Sequence, residues 1–211
     1  MSWERFINKV TCGDCLELMK EIPDGAVDLV VTDPPYGVKK AEWDDVFPKL
    51  DIWQELNRIM CDGASLLVFP GEKFIPQKLS ILFEVFEYQW VIVWYKNNAM
   101  QFGKTGYAKQ NLIWWLSKGD PIARPKINDV IAVPMILDHS IHHPTPKPRN
   151  IIDPLVCHWS KGNDLILDLF AGSGTTLVAA KQLGRRFIGF EIEPKYCAIA
   201  EERLKQEVLG I

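Results

Sequence analysis

Three short stretches constrain the fold of this chain more than anything else in it. "AVDLVVTD" (26–33), "ASLLVFPG" (64–71) and "DLILDLF" (164–170) are apolar almost without a break. A strand with one wet face alternates apolar and polar residues. An unbroken run marks a strand buried on both faces, the habit of parallel sheets covered by helices. Segments of helical spacing lie between such runs: "CLELMKEI" (15–22), "FPKLDIWQELNRIMCDG" (47–63), "IIDPLVCHWS" (151–160), "GTTLVAAKQLG" (174–184) and "PKYCAIAEERLKQEVLG" (194–210). "INKVTCGD" (7–14) and "RFIGFEIE" (186–193) add strands, and "YQWVIVWYK" (88–96) and "QNLIWWLSKG" (110–119) read as two more that pair. Residues 72–86 read as largely helical after Pro76, and 120–147, rich in Pro, Asp and His, as loop. The alternation predicts an open, mostly parallel α/β sheet with helices on both faces. With 211 residues and 47% apolar content, the chain is expected to form a single domain, 1–211.

Ligands of such sheets bind beyond the carboxyl ends of the strands. Four strands here end in an acid or a glycine-rich turn: at Asp14, at Asp33, at Phe170–Gly174 and at Glu191. These ends should share one edge. At Gly172-Ser173-Gly174 a strand passes through glycines into a helix starting at Thr175, which exposes backbone N–H groups to an anion or polar ligand. The third glycine of a dinucleotide fingerprint and the lysine of a phosphate-binding loop are both missing. Glu191, about twenty residues on, stands where an acid accepts from a ribose diol. Together they suggest a nucleoside-like cofactor without a pyrophosphate; the plainer alternative is a structural turn and a surface acid.

"VVTDPPYG" (30–37) poses the second question. Asp33 follows a buried strand. Pro34 and Pro35 offer carbonyls and no N–H. A carboxylate beside a proline carbonyl accepts and never donates, which suits a group with two N–H donors such as an exocyclic amine. Tyr36 adds a flat face for a base, and Gly37 allows close approach.

Cys12, Cys15, Cys61, Cys157 and Cys197 are odd in number. Cys12-x-x-Cys15 lacks a second pair, and His139, His142 and His143 lack a suitably spaced cysteine. Reduced, packed cysteines and no metal are expected. No apolar leader and no run of roughly 18–20 apolar residues appears, so the expectation is a soluble, cytoplasmic protein that spans no membrane. The net charge of −3 is uneven: eight Lys/Arg against three acids between Lys96 and Arg149 give +5 there and −8 elsewhere. Basicity confined to one segment is either an electrostatic footprint for nucleic acid or an ordinary solvated loop.

Asp33-Pro34-Pro35-Tyr36 resembles the catalytic motif of S-adenosylmethionine-dependent DNA amino-methyltransferases, and Asp168-Leu169-Phe170-Ala171-Gly172-Ser173-Gly174-Thr175 resembles their cofactor-binding motif. The catalytic motif precedes the glycine loop, a circularly permuted order similar to the beta group of the N6-adenine/N4-cytosine family. His143-Pro144-Thr145-Pro146-Lys147-Pro148 and "CGDCLELMKEIPDGAVDLVVTDPPYG" match that group elsewhere, so the likeness covers nearly the whole chain. It implies a Rossmann-like, seven-stranded sheet with one antiparallel strand. It further implies that Asp33 and the Pro34 carbonyl accept from the target amine, with Pro35 and Tyr36 completing the catalytic turn and Tyr36 stacking on a base flipped out of DNA. Phe170, Ala171, Gly172, Ser173, Gly174 and Thr175, with Asp168 and Asp33, would cradle the cofactor. Thr145 and Lys147 would close over its carboxylate, Glu191 would hold its ribose, and Asp14 would reach its adenine with Cys15 alongside.

Asp at position 33, where cytosine enzymes more often carry Ser, points to adenine in DNA. "YGVKKAEWDD" resembles a run in phage-type adenine enzymes, some of which serve restriction–modification systems. Lys39, Lys40 and Trp43 there, with Lys104 and Lys109, are the candidate nucleic-acid contacts. Residues 96–142 form a short basic insertion for target recognition. An N4-cytosine enzyme, an RNA methyltransferase and an inactive DNA-binding module are the alternatives; a homodimer is a partner the resemblance allows.

Overall fold

The computed structural model describes residues 2–36, 47–71, 80–98, 101–103, 106–136 and 146–206, and the side chains of these outside 101–108. A 3-10 turn at Trp3–Phe6 leads into β1 (Lys9–Cys12), α1 (Cys15–Met19), β2 (Val27–Thr32), α2 (Leu50–Ile59), β3 (Met60–Val68) and β4 (Glu87–Tyr95). There follow β5 (Gln101–Gly103), β6 (Gly106–Ala108), β7 (Gln110–Ser117), β8 (Val130–Ala132), α3 (Arg149–Trp159), β9 (Leu165–Asp168), α4 (Thr175–Gln182), β10 (Arg186–Glu191) and α5 (Pro194–Lys205). One sheet runs β1-β10-β9-β2-β3-β7-β4-β8, and β5 and β6 form a separate hairpin. Within the large sheet β7 alone is antiparallel to its neighbours, β3 and β4.

The unbroken apolar runs become central strands because both faces of the sheet are covered. On β2, Val30 packs with Trp53, Leu56 and Ile59 of α2, while Leu29 and Val31 pack with Ile152, Leu155 and Val156 of α3 and Leu177 of α4. The chain leaving β2 therefore runs to one face and the chain leaving β9 to the other. β2 and β9 are adjacent, with Leu29 opposite Ile166 and Val30 opposite Leu167. Where neighbouring strands send their connections to opposite faces a crevice opens past their carboxyl ends.

Three expectations are corrected. The sheet has eight strands, because β8 lies inside the segment read as loop and pairs in parallel with β4, Val93 opposite Val130. A three-residue edge strand whose residues, Val130-Ile131-Ala132, are all apolar carries no periodic signal. The helix expected to Gly63 stops at Ile59, and Met60 to Gly63 already belong to β3. Gly63, at φ +77°, is no helix cap: its N–H donates to the Lys118 carbonyl, and a Cβ there would meet Ile122 at 2.9 Å. The last helix, expected to run to Gly210, ends at Lys205, where Gln206 leaves helical geometry at ψ +123°; residues 207–210 lie outside the described residues. Residues 80–83 are helical, as expected for part of 72–86.

Candidate active site

β2 ends at Thr32, which fastens three elements together. Its carbonyl accepts from Phe69 N–H at the exit of β3 (3.1 Å), and its hydroxyl donates to Asp168 Oδ1 at the end of β9 (2.9 Å). The next four residues, Asp33 to Tyr36, have no regular structure, and two of them lack an N–H. The turn is held by its side chains. The Asp33 carboxylate accepts from the Tyr36 hydroxyl and from Lys147 Nζ, which arrives from the segment before α3. Lys147 Nζ also lies 3.5 Å from Tyr36 Oη, 5.1 Å from the centre of the Phe69 ring and 5.9 Å from that of Tyr36. The Tyr36 ring rests on Gly71, where a Cβ would come within 2.6 Å of Cδ1; φ there is +69°.

The glycine loop is braced from behind. Asp168 is buried and accepts from Thr32 Oγ1, from the Thr176 hydroxyl and from Phe170 N–H. Burial pushes its carboxyl up to about 6, the nearby Asp33 charge adds to this, and the three hydrogen bonds oppose it. Ala171 N–H donates to the Phe190 carbonyl and Gly172 N–H to Glu191 Oε2 (2.7 Å). Glu191 Oε1 takes Glu193 N–H (2.9 Å), and burial raises this carboxyl too, against the backbone donors. Gly174 caps α4 at φ +79°, with Ala200 2.8 Å from where a Cβ would be. Arg203 of α5 reaches across to the Ser173 carbonyl (2.5 Å), Ser173 Oγ (3.2 Å) and Thr175 Oγ1 (3.2 Å).

A cavity of about 580 Å³ joins these parts. Asp33 to Tyr36, Asp168 to Ser173, Thr175, Glu191, Lys147, Asp14 and Cys15 all border it, so the strand ends do share one edge. Gly174 sits behind the wall as the cap. Asp14 caps α1, accepting from Leu16 and Glu17 N–H. The Cys15 thiol is pushed up to about 12 by burial and by Asp14, which keeps it from serving as a nucleophile. Phe69, Ile52, Ile152, Ile192 and Tyr196 complete the walls. Phe69 was findable by the strand-end rule; Arg203 and the isoleucines carry no local signal. Size, apolar walls, clustered acids and a glycine cradle fit one nucleoside-bearing ligand. Thr145, Lys39, Lys40, Trp43, Lys104, His139, His142 and His143 lie outside the described residues.

The family model for DNA methylases, N6_N4_Mtase, matches residues 27–202, which takes in the Asp33–Tyr36 turn, the glycine loop and all of the cavity lining except Gly13, Asp14 and Cys15. The chain belongs to this family. It is 32% identical to YubD of Escherichia coli (strain K12) over 205 residues, covering 91% of this chain and 88% of that one. It is 28% identical to the type II methyltransferase M.HinfI of Haemophilus influenzae, covering 95% and 69%. The crystal structure of an M1.HpyAVI–SAM complex superposes with a TM-score of 0.73 at 25% identity, over 92% of this chain and 98% of that one. The fold is the class I methyltransferase fold.

The basic segment of this methylase is less available than its charge suggests. Lys96 is buried and donates to Asn111 Oδ1. Lys118 donates to the Met60 carbonyl, 3.6 Å from Asp62 as well, and Arg124 donates to the Trp159 carbonyl. Lys147 holds Asp33, and Arg149 makes a two-pronged pair with Asp153. Among the described residues of the segment, Lys109 and Lys126 remain with neither a side-chain hydrogen bond nor an ion pair. Lys109 stands apart from the cavity walls, where its carbonyl accepts from Lys96 N–H.

Proposed function

We propose that this protein transfers a methyl group from S-adenosylmethionine to the exocyclic amino group of adenine in DNA. One observation carries the reading: the acceptor turn and the glycine loop, 135 positions apart at Asp33 and Asp168, border the same cavity and are tied by the Thr32–Asp168 hydrogen bond. The cofactor, when bound, supplies an electrophilic methyl on a sulfonium. The chain's residues do the rest. Asp33 and the Pro34 carbonyl accept the two hydrogens of the ring amine, draw its nitrogen toward tetrahedral geometry and free its lone pair. They also stabilise the positive charge that grows on that nitrogen. Tyr36, fixed by Gly71, offers its face to the extruded base. Phe170 to Thr175 hold the cofactor, Glu191 takes its ribose hydroxyls, and Asp14 addresses its adenine. Apolar walls at Ile52, Phe69 and Ile192 keep water from competing for the acceptors.

Adenine is favoured by the Asp at position 33. A cytosine amine presents the same two hydrogens to the same acceptor pair, so N4-cytosine methylation is the second reading. Labelled S-adenosylmethionine, offered with unmethylated duplex DNA, single-stranded DNA and RNA, tests the substrate, and nucleoside analysis of the product tells the bases apart. N6-methyladenine in DNA is expected. Asp33→Ala should abolish transfer while cofactor binding persists; transfer by that variant removes Asp33 from the chemistry.

A further inference from the structure

Among the described residues, four carboxylates border the cavity: Asp14, Asp33, Asp168 and Glu191. Asp14 caps α1, Asp168 is held by Thr32, Thr176 and Phe170 N–H, and Glu191 by Gly172 and Glu193 N–H. Asp33 differs, because a cation holds it. Among the described residues lining the cavity, Lys147 is also the single cation. Its anchor is stiff and its reach is not. Pro146 and Pro148 fix the backbone on either side, and Pro148 opens α3, while the four-carbon stem leaves Nζ free to swing. Side-chain exposure is 13% for Lys147 and 25% for Asp33, so the pair is poorly screened.

This placement sets up a competition. A target amine that donates to Asp33 must share the carboxylate with an ammonium on Oδ2 and the Tyr36 hydroxyl on Oδ1, and the charge that grows on its nitrogen has the sign of the ammonium. Among the described residues, a ligand carboxylate entering the cavity finds one side-chain cation, and that cation is on Asp33. We propose that Lys147 is a positioning residue shared between two anions, Asp33 and the amino-acid carboxylate of the cofactor, so that cofactor binding draws the ammonium off the catalytic carboxylate and opens it to the base. The inference rests on the reading of Asp33 as the amine acceptor and of the cavity as the S-adenosylmethionine site. It makes cofactor occupancy a condition for presenting the acceptor, which guards against unproductive capture of a flipped base.

The test needs no DNA. S-adenosylhomocysteine carries the same carboxylate; 5′-methylthioadenosine has the adenosine and thioether without it. Calorimetric affinities of both are measured for the wild type, Asp33→Asn, Lys147→Met and the double variant, with thermal unfolding confirming that each is folded. Asp33→Asn frees Lys147 and should tighten S-adenosylhomocysteine by about 5-fold or more, in the ordinary range of coupling between sites, and leave 5′-methylthioadenosine unchanged. Lys147→Met should weaken S-adenosylhomocysteine and erase the gain from Asp33→Asn; Lys147→Arg should restore part of both. The proposal is overturned if Asp33→Asn gives no gain, gives equal gains for both ligands, or keeps its gain without Lys147. Should neither ligand bind the wild type, the cofactor reading falls with it; binding without the coupling sinks the exchange alone.

Discussion

Thr32 and Asp168 stand 136 residues apart in the chain and 2.9 Å apart in the protein, hydroxyl to carboxylate, both buried. The bond joins the last residue of β2 to the last residue of β9. It therefore sets the distance between the acceptor turn that follows one strand and the glycine loop that follows the other. Thr32→Val keeps the shape and removes the donor, leaving a buried carboxylate oxygen less well satisfied. The expected loss of unfolding free energy is about 1–3 kcal/mol, read by urea denaturation. A fall in kcat should accompany it, because cofactor and acceptor lose their common reference.

Asp168 makes stability depend on pH in a definite direction. Its carboxyl titrates near 6 in the folded protein, above its ordinary value of 3.8. Between those values the folded state binds the extra proton, so this group's contribution is fully present below about 4 and is lost as pH rises through about 6. Asp168→Asn removes that titration. The variant should gain on the wild type as pH goes from about 4 to about 6, whatever constant penalty it carries. Denaturation midpoints of the two proteins across that range check the slope; parallel curves contradict it.

Gly71 fixes the ring that would meet the base. An alanine there places Cβ within 2.6 Å of Tyr36 Cδ1 and strains a backbone at φ +69°. Gly71→Ala should cost about 1 kcal/mol of stability. It should cut kcat on DNA at least 10-fold, a barrier change of roughly 1.4 kcal/mol or more. Cofactor affinity, measured by calorimetry, should hardly change, since the proposed function gives that ring to the base and not to the cofactor.

Salt dependence separates cations that face DNA from cations that build the fold. Arg124→Met removes a hydrogen bond to the Trp159 carbonyl and should lower the melting temperature without altering how DNA affinity falls with salt. Lys126 is exposed. Lys126→Ala should leave melting unchanged and, if that side chain meets a phosphate, reduce the salt slope by about 1. Filter binding over a range of salt, alongside melting curves, gives both numbers.

The layer architecture, and the two strand-end segments that border the cavity, were legible in the residues alone. Unbroken apolar runs are the mark of a sheet covered on both faces, and an acid, two prolines and a ring after one run, or glycines after another, stand out at strand ends wherever they land. Two stretches were illegible: β8 has only three residues, all apolar, and Met60 to Gly63 extend a helical pattern that β3 takes over because pairing with neighbouring strands outweighs local spacing. Which side chains meet is a matter of long-range assembly. Nothing in the local sequence puts Lys147 on Asp33, or Arg203 on Ser173. The charge of the 96–149 segment likewise could not reveal that Lys96, Lys118, Arg124 and Arg149 are bound within the protein. Strand identity follows from periodicity, which is local; partnership follows from which strands become neighbours, and that is settled only when the whole sheet assembles.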